Sequence, residues 1–106
     1  MSDNAALSRL DLNLLVSLDA LLTERSVTRA AESLHLSQPA LSASLARLRT
    51  HFNDQILARR GNTYELTPFA VRLTDHTSTA LEAARRVFES QASWSPAEST
   101  REFSIY

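Results

Sequence analysis

The sequence predicts a mainly α fold: three short helices and a β-hairpin leading into one long helix. Three observations predict it. Leucines recur at three- and four-residue spacing from Leu12 to Leu22 and again from Leu41 to Leu48. Gly61, the only glycine, separates two short runs that carry Ile56, Leu57, Tyr64 and Leu66. After Thr67-Pro68 no helix breaker occurs until about Ser93.

Residues 1–8 are polar and are expected to be loose. Asp11 can cap a first helix running to about Glu24. Its apolar face comprises Leu12, Leu15, Leu18 and Leu22, with Leu14 and Leu21 alongside. Ser26 is the expected N-cap of a short second helix through about His35. Ala30, Ala31 and Leu34 should face inward, the two alanines being small enough to admit a neighbouring helix closely. Leu36, in the turn that follows, is expected to plug the core.

Ser37 is the expected cap of a third helix, and Pro39 falls in its first turn, where a missing N–H costs little. Leu41, Leu45, Leu48 and Phe52 define the buried face. Pro39, Ala43, Ala46 and Thr50 lie opposite, and Gln38 and Ser42 lie at the edge near the N-terminal end. Residues 56–67 read as a hairpin, with Gly61-Asn62 at a turn that needs positive φ. Two helices joined by a tight turn, followed by a hairpin, make a winged helix-turn-helix.

Thr67 and Pro68 then start the long helix as cap and first-turn proline. Leu73, Thr77, Ala80, Ala84 and Val87, with Leu81 and Phe88 beside them, form a stripe rich in small residues. So small a domain offers nothing of that length for it to pack on. The stripe is therefore left without a partner. Residues 93–100 read as a Ser/Pro hinge, and 101–106 alternate in the manner of a first strand, so the chain looks truncated. The expected divisions are 1–67 for the winged domain, 68–92 for the linker helix, and 93–106 for the hinge and that strand.

Composition narrows the function. A hydrophobic content of 43% in 106 residues supports a modest core but no large buried pocket. With no cysteine, neither a disulfide framework nor a thiolate zinc site can form. His35, His51 and His76 lack ligand spacing, so no metal is expected. A single glycine argues against a phosphate-cradling loop, no catalytic triad is discernible, and neither an enzyme nor a cofactor is expected. No secretory signal or membrane span is legible, which predicts a cytoplasmic protein.

The net charge of −1 conceals a partition. Residues 1–24 set Arg9 against four acids, and residues 61–106 set four arginines against six. Residues 25–60 set six arginines against Glu32 and Asp54, a net +4 on the helix-turn-helix and wing. Phosphate binding depends on such local fields, not on the whole-chain sum. All eleven basic residues are arginine, which suits bidentate phosphate contact.

The partner these features predict is double-stranded DNA. Gln38 can contact adenine through two hydrogen bonds, and Ser42 can bond several base edges. The alternative role of Gln38 is helix capping. Pro39, Ala40 and Ala43 can touch thymine methyls or simply let the helix sink into the groove. Ser26, Thr28 and Arg29, around the start of the second helix, can reach phosphates. So can Ser37, Arg47 and Arg49, although for each arginine a solvated surface role is the competing reading. Of the wing pair Arg59 and Arg60, Arg59 is the one expected to meet a phosphate or the minor groove. A winged helix whose positive face binds acidic protein is the rival reading.

These residues also carry a resemblance. Leu10 to Arg49, LDLNLLVSLDALLTERSVTRAAESLHLSQPALSASLARLR, resembles the winged helix-turn-helix of LysR-type transcriptional regulators. Asn53-Asp54, Arg59 and Thr67-Pro68 continue the match, which spans about residues 8–106. LDLNLL, ARLR and WSPAESTREF look most like the branch of nodulation and aromatic-degradation regulators.

The resemblance implies a homodimer through antiparallel linker helices, with Leu73, Thr77, Ala80, Leu81, Ala84, Val87 and Phe88 as its contacts, and two heads on an interrupted inverted repeat. It also implies a C-terminal effector domain, of which only a strand near Glu102–Tyr106 remains, and tetramers only with that domain. Three features depart from the family pattern. Ala43 replaces a common arginine, and His35 replaces a common glycine. Ile56-Leu57 replaces Leu-Phe before a shortened Arg-Arg-Gly-Asn wing turn.

Overall fold

The computed structural model describes residues 11–93. Helix α1 spans Leu12–Glu24, α2 Val27–Leu34 and α3 Gln38–Phe52. Strands β1, Leu57–Arg60, and β2, Thr63–Leu66, form an antiparallel hairpin, and α4 runs Pro68–Ser93. The fold is a winged helix-turn-helix carrying a long helix. The expected hinge and terminal strand lie outside the described residues, apart from Ser93, which ends α4.

Local chemistry sets each boundary. The Asp11 carboxylate accepts from the Asn13 amide at 2.9 Å. Ser26 Oγ accepts from the Arg29 amide, and Ser37 Oγ from the Ala40 amide, each at 3.2 Å. All three satisfy an amide donor that a helix start leaves unpaired. The helices then end on left-handed residues: Arg25, His35 and Asn53, with φ of 56°, 58° and 53°. Not one is glycine, and each stores strain that its cap bonds must hold. In the wing, Gly61 has φ 62° and Asn62 does not share the positive sign, the pattern of a II′ hairpin turn. A Cβ on Gly61 would meet nothing within 4 Å, so the need for glycine there is conformational.

The core lies where the three short helices, the start of β1 and the base of α4 meet. Leu18, Leu21 and Leu22 of α1 pack with Ala30 and Ala31 of α2 and with Leu41, Leu45 and Leu48 of α3. Ile56, Leu57 and Ala70 close it. Phe52 is only partly buried and meets Phe69 at a ring separation of 5.3 Å.

Two expectations are corrected. Leu36 does not plug the core; it is 43% exposed. Its amide bonds back to Ala31 O at 2.9 Å and the His35 amide to Glu32 O at 3.2 Å, a Schellman closure that turns Leu36 outward. Leu34 packs against the core instead. Nor is the whole stripe on α4 unpartnered. Leu73 packs against the core and Thr77 is buried within the single chain, because the base of α4 lies on α1. Farther along, Val87 and Phe88 are 65% and 70% exposed.

Candidate nucleic-acid interface

Helix α3 exposes Gln38, Pro39, Ala40, Ser42, Ala43, Ala46 and Thr50, while its leucines are buried beneath. Ser37 performs the capping that was the alternative role of Gln38. Among the described residues no hydrogen bond restrains the Gln38 side chain. The exposed N-terminal half of α3 is therefore polar at its edge, small at its centre and unobstructed.

A cleft of about 800 Å³ runs between this helix and the wing. Ser26, Thr28 and Arg29 line it from the start of α2, Gln38 and Ser42 from α3, and Tyr64 from the wing. The turn between α2 and α3 thus brings two polar clusters, separate in sequence, to one concave surface. Arg25, Asn62, Thr63 and Tyr64 also line it and were not anticipated. Arg25 is a helix cap, Asn62 sits in the hairpin turn, and Thr63 and Tyr64 follow it. Their signal was proximity to the wing tip, legible only once the hairpin is placed against α3. Ser37, Pro39, Ala40, Ala43, Arg47, Arg59 and Arg60 lie on the exposed surface outside the cleft lining.

The arginines differ in how they are held. Arg59 and Tyr64 are directly paired across the wing. The Arg59 guanidinium lies 5.7 Å from the Tyr64 ring centroid, and its Nη1 donates to Tyr64 Oη at 3.4 Å. Its Nε donates to Gly61 O at 3.3 Å. These contacts fix the guanidinium of an exposed residue at low entropic cost. Arg60 pairs with Glu65 at 3.5 Å and Arg47 with Asp11 at 3.9 Å, both solvent-exposed and of little energetic weight.

Arg49 lines the cleft and is also tied to the backbone. Its Nε donates to Gln55 O at 2.8 Å and its Nη2 to Leu57 O at 3.0 Å. The side chain is directed to the backbone joining α3 to β1, because that segment folds back beside the last turns of α3. Thr28, Arg29 and Arg25 make no side-chain hydrogen bond or ion pair among the described residues.

Among the described residues no group of three or more His, Cys, Asp or Glu side chains is placed to hold a metal ion. No described helix is long and apolar enough to cross a membrane.

Comparison with known proteins agrees with this geometry. Residues 12–76 match the family described as bacterial regulatory helix-turn-helix protein, lysR family. Over 96 residues, 91% of this chain and 31% of the relative, the sequence is 50% identical to nodulation protein D 1 of Bradyrhizobium sp. (strain NC92). The chain thus spans under a third of that relative's length.

The crystal structure of the probable transcriptional regulator PA0477 from Pseudomonas aeruginosa superposes with a TM-score of 0.74 at 39% identity. That match covers 85% of this chain and 30% of the other. The BenM DBD in its catB site 1 DNA complex superposes with a TM-score of 0.71 at 25% identity, over 81% of this chain and all of that one. With its helix-turn-helix, wing and the base of α4 all inside the matched span, this chain belongs to the lysR family of bacterial regulatory helix-turn-helix proteins.

Proposed function

We propose that this chain is the sequence-specific DNA-reading head of a transcriptional regulator. Helix α3, with Ser37 at its cap, enters the major groove. Gln38 and Ser42 read base edges, while Pro39, Ala40 and Ala43 admit the helix closely and meet thymine methyls. Ser26, Thr28, Arg29 and Arg47 contact phosphates. Arg59 on the wing meets a phosphate or the adjacent minor groove. Arg49, which lines the cleft, holds the wing through backbone carbonyls and can reach a phosphate from there.

One observation carries this reading: the cleft that brings the start of α2, the open face of α3 and the wing to one surface. Its local positive field supports it, as does the likeness to a BenM domain whose crystal structure is a complex with DNA.

The proposed divisions are a winged domain, residues 1–67, and a linker helix, 68–92; the expected hinge and strand of 93–106 fall, after Ser93, outside the described residues. Two copies pair through the outer half of α4, where Ala80, Val87 and Phe88 are exposed and Leu81 and Ala84 half-buried. Leu73 and Thr77 already serve the domain's own core. The pair reads an interrupted inverted repeat, and tetramers form only with the effector domain. The protein acts in the cytoplasm, without enzymatic activity of its own.

Titrating DNA binding against salt tests the reading. Affinity for duplex should fall with a log–log slope of roughly −0.9 per phosphate neutralised. A slope near zero would exclude a phosphate-dominated interface and the DNA assignment with it.

A further inference from the structure

The joint between α3 and the wing is held by more bonds than chain continuity requires. The Leu57 amide donates to Gln55 O at 2.7 Å, closing a three-residue turn around Ile56, whose φ is 68°. A β-branched residue in that conformation is strained and persists only when its surroundings hold it there. Ile56 is fully buried, and Arg49 grips the carbonyls on either side of it.

Asp54 and Thr67 complete the clamp. Asp54 Oδ2 accepts from the Ile56 amide at 2.8 Å and from the Thr67 hydroxyl at 2.6 Å. The Thr67 amide returns to Ile56 O at 3.0 Å. Thr67 Oγ1 in turn accepts from the Ala70 amide at 3.0 Å, capping α4. A direct tie therefore joins the end of α3 to the start of α4 across a sequence separation of 13 that spans the wing. It acts beside the Thr67 amide bond to Ile56 O and the packing of the base of α4 on α1, and it is the side-chain bond that ties the end of α3 directly to the cap of α4.

We propose that the Asp54–Thr67 bond is a spacing gauge: it sets the angle at which α4 leaves the head, and so the half-site separation that paired heads accept. The inference rests on the proposed pairing through α4. Its leverage is geometric. From Thr67 to Phe88 the helix extends about 32 Å at 1.5 Å per residue. A tilt of about 6° at its base moves the far end by about 3.4 Å, one base-pair step. An error of a few degrees in this joint is thus an error of one base pair in the operator.

The test uses the full chain and duplexes bearing two copies of the half-site recovered by selection from random-sequence DNA. The spacer is varied one base pair at a time. Wild type should prefer one spacing. Thr67→Val should flatten the profile, losing about tenfold at the preferred spacing relative to its neighbours, the scale of one hydrogen bond to a charged group. Its affinity for a single half-site should stay within about twofold of wild type, because neither Asp54 nor Thr67 lines the cleft. Thr67→Ser, which keeps the hydroxyl, should retain the wild-type profile.

Asp54→Ala, which removes the acceptor, provides the same comparison should Thr67→Val fail to fold. A wild-type preference left intact in a folded Thr67→Val or Asp54→Ala chain overturns the gauge alone. A wild-type chain without any spacing preference overturns the pairing, and the gauge with it.

Discussion

The guanidinium of Arg59 is held over the ring of Tyr64, its direct cross-strand partner, 5.7 Å from the centroid. Alternation along the strands places this pair on the same face of the wing as Leu57 and Leu66, which pack in or against the core. The wing's principal DNA-contact candidate is thus aligned by the residue opposite it. Tyr64→Ala should weaken binding to all duplexes by roughly two- to fivefold, the worth of an exposed cation–π contact of about 0.5–1 kcal/mol. Tyr64→Phe should keep most of the affinity. In an Arg59→Ala background, Tyr64→Ala should add little; fully additive losses would show that Tyr64 acts independently of Arg59.

Gln38 and Arg59 should separate specificity from affinity. Gln38→Ala should relax the preference at one base-pair position by about 1–3 kcal/mol. Arg59→Ala should lower affinity for every sequence and make the salt slope shallower. Site selection on both variants measures this, and a Gln38→Ala profile identical to wild type would refute the assigned reader.

Leu41 anchors α3 to the core and is fully buried. Leu41→Ala should cost about 2–5 kcal/mol of stability, through lost burial and the cavity left behind. Urea denaturation reads this directly. A loss below about 1 kcal/mol would mean that the site collapses around the truncation.

On α4, Phe88 and Leu73 should fail in different ways. Phe88→Asp should yield a folded monomer, since each Phe88 withdrawn from an interface forfeits roughly 1.5–3 kcal/mol of burial. Leu73→Asp should instead destabilise the head, because Leu73 packs against its own core. Sedimentation combined with thermal melting distinguishes the two. A Phe88→Asp chain that remains dimeric would place the pairing surface elsewhere.

This division of α4 marks where the sequence could be read and where it could not. Asp11, Ser26, Ser37 and Thr67 were legible as caps because each satisfies an amide no more than three residues away. Gly61 was legible because its turn demands a conformation few other residues adopt. The buried leucines of α3 followed from helical period alone.

The backbone bonds of Arg49 were not legible. Its partners are backbone carbonyls of a segment whose path depends on the strained turn at Ile56. Leu36 looked like a core residue by composition, yet the bond from its amide to Ala31 O decided its direction. Thr77 looked like an interface residue until α1 was found against it. In each case a contact remote in sequence, or a backbone closure, overrode side-chain character.

The sparseness of the open face of α3 has a consequence for finding a site in a genome. Gln38 and Ser42 are its proposed polar readers, and the rest of the exposed surface of its first turns is Pro39, Ala40 and Ala43. At about 1–3 kcal/mol of discrimination each, two readers separate the right address from a wrong one by some tens to about ten-thousandfold. A bacterial chromosome offers on the order of a million competing addresses. One head alone would spend its time on decoys. Two heads held at a fixed separation square that ratio, to roughly a thousandfold at the low end and beyond a millionfold at the high end. Under the proposed pairing, the information missing from the reading helix is supplied by a length, measured out by α4.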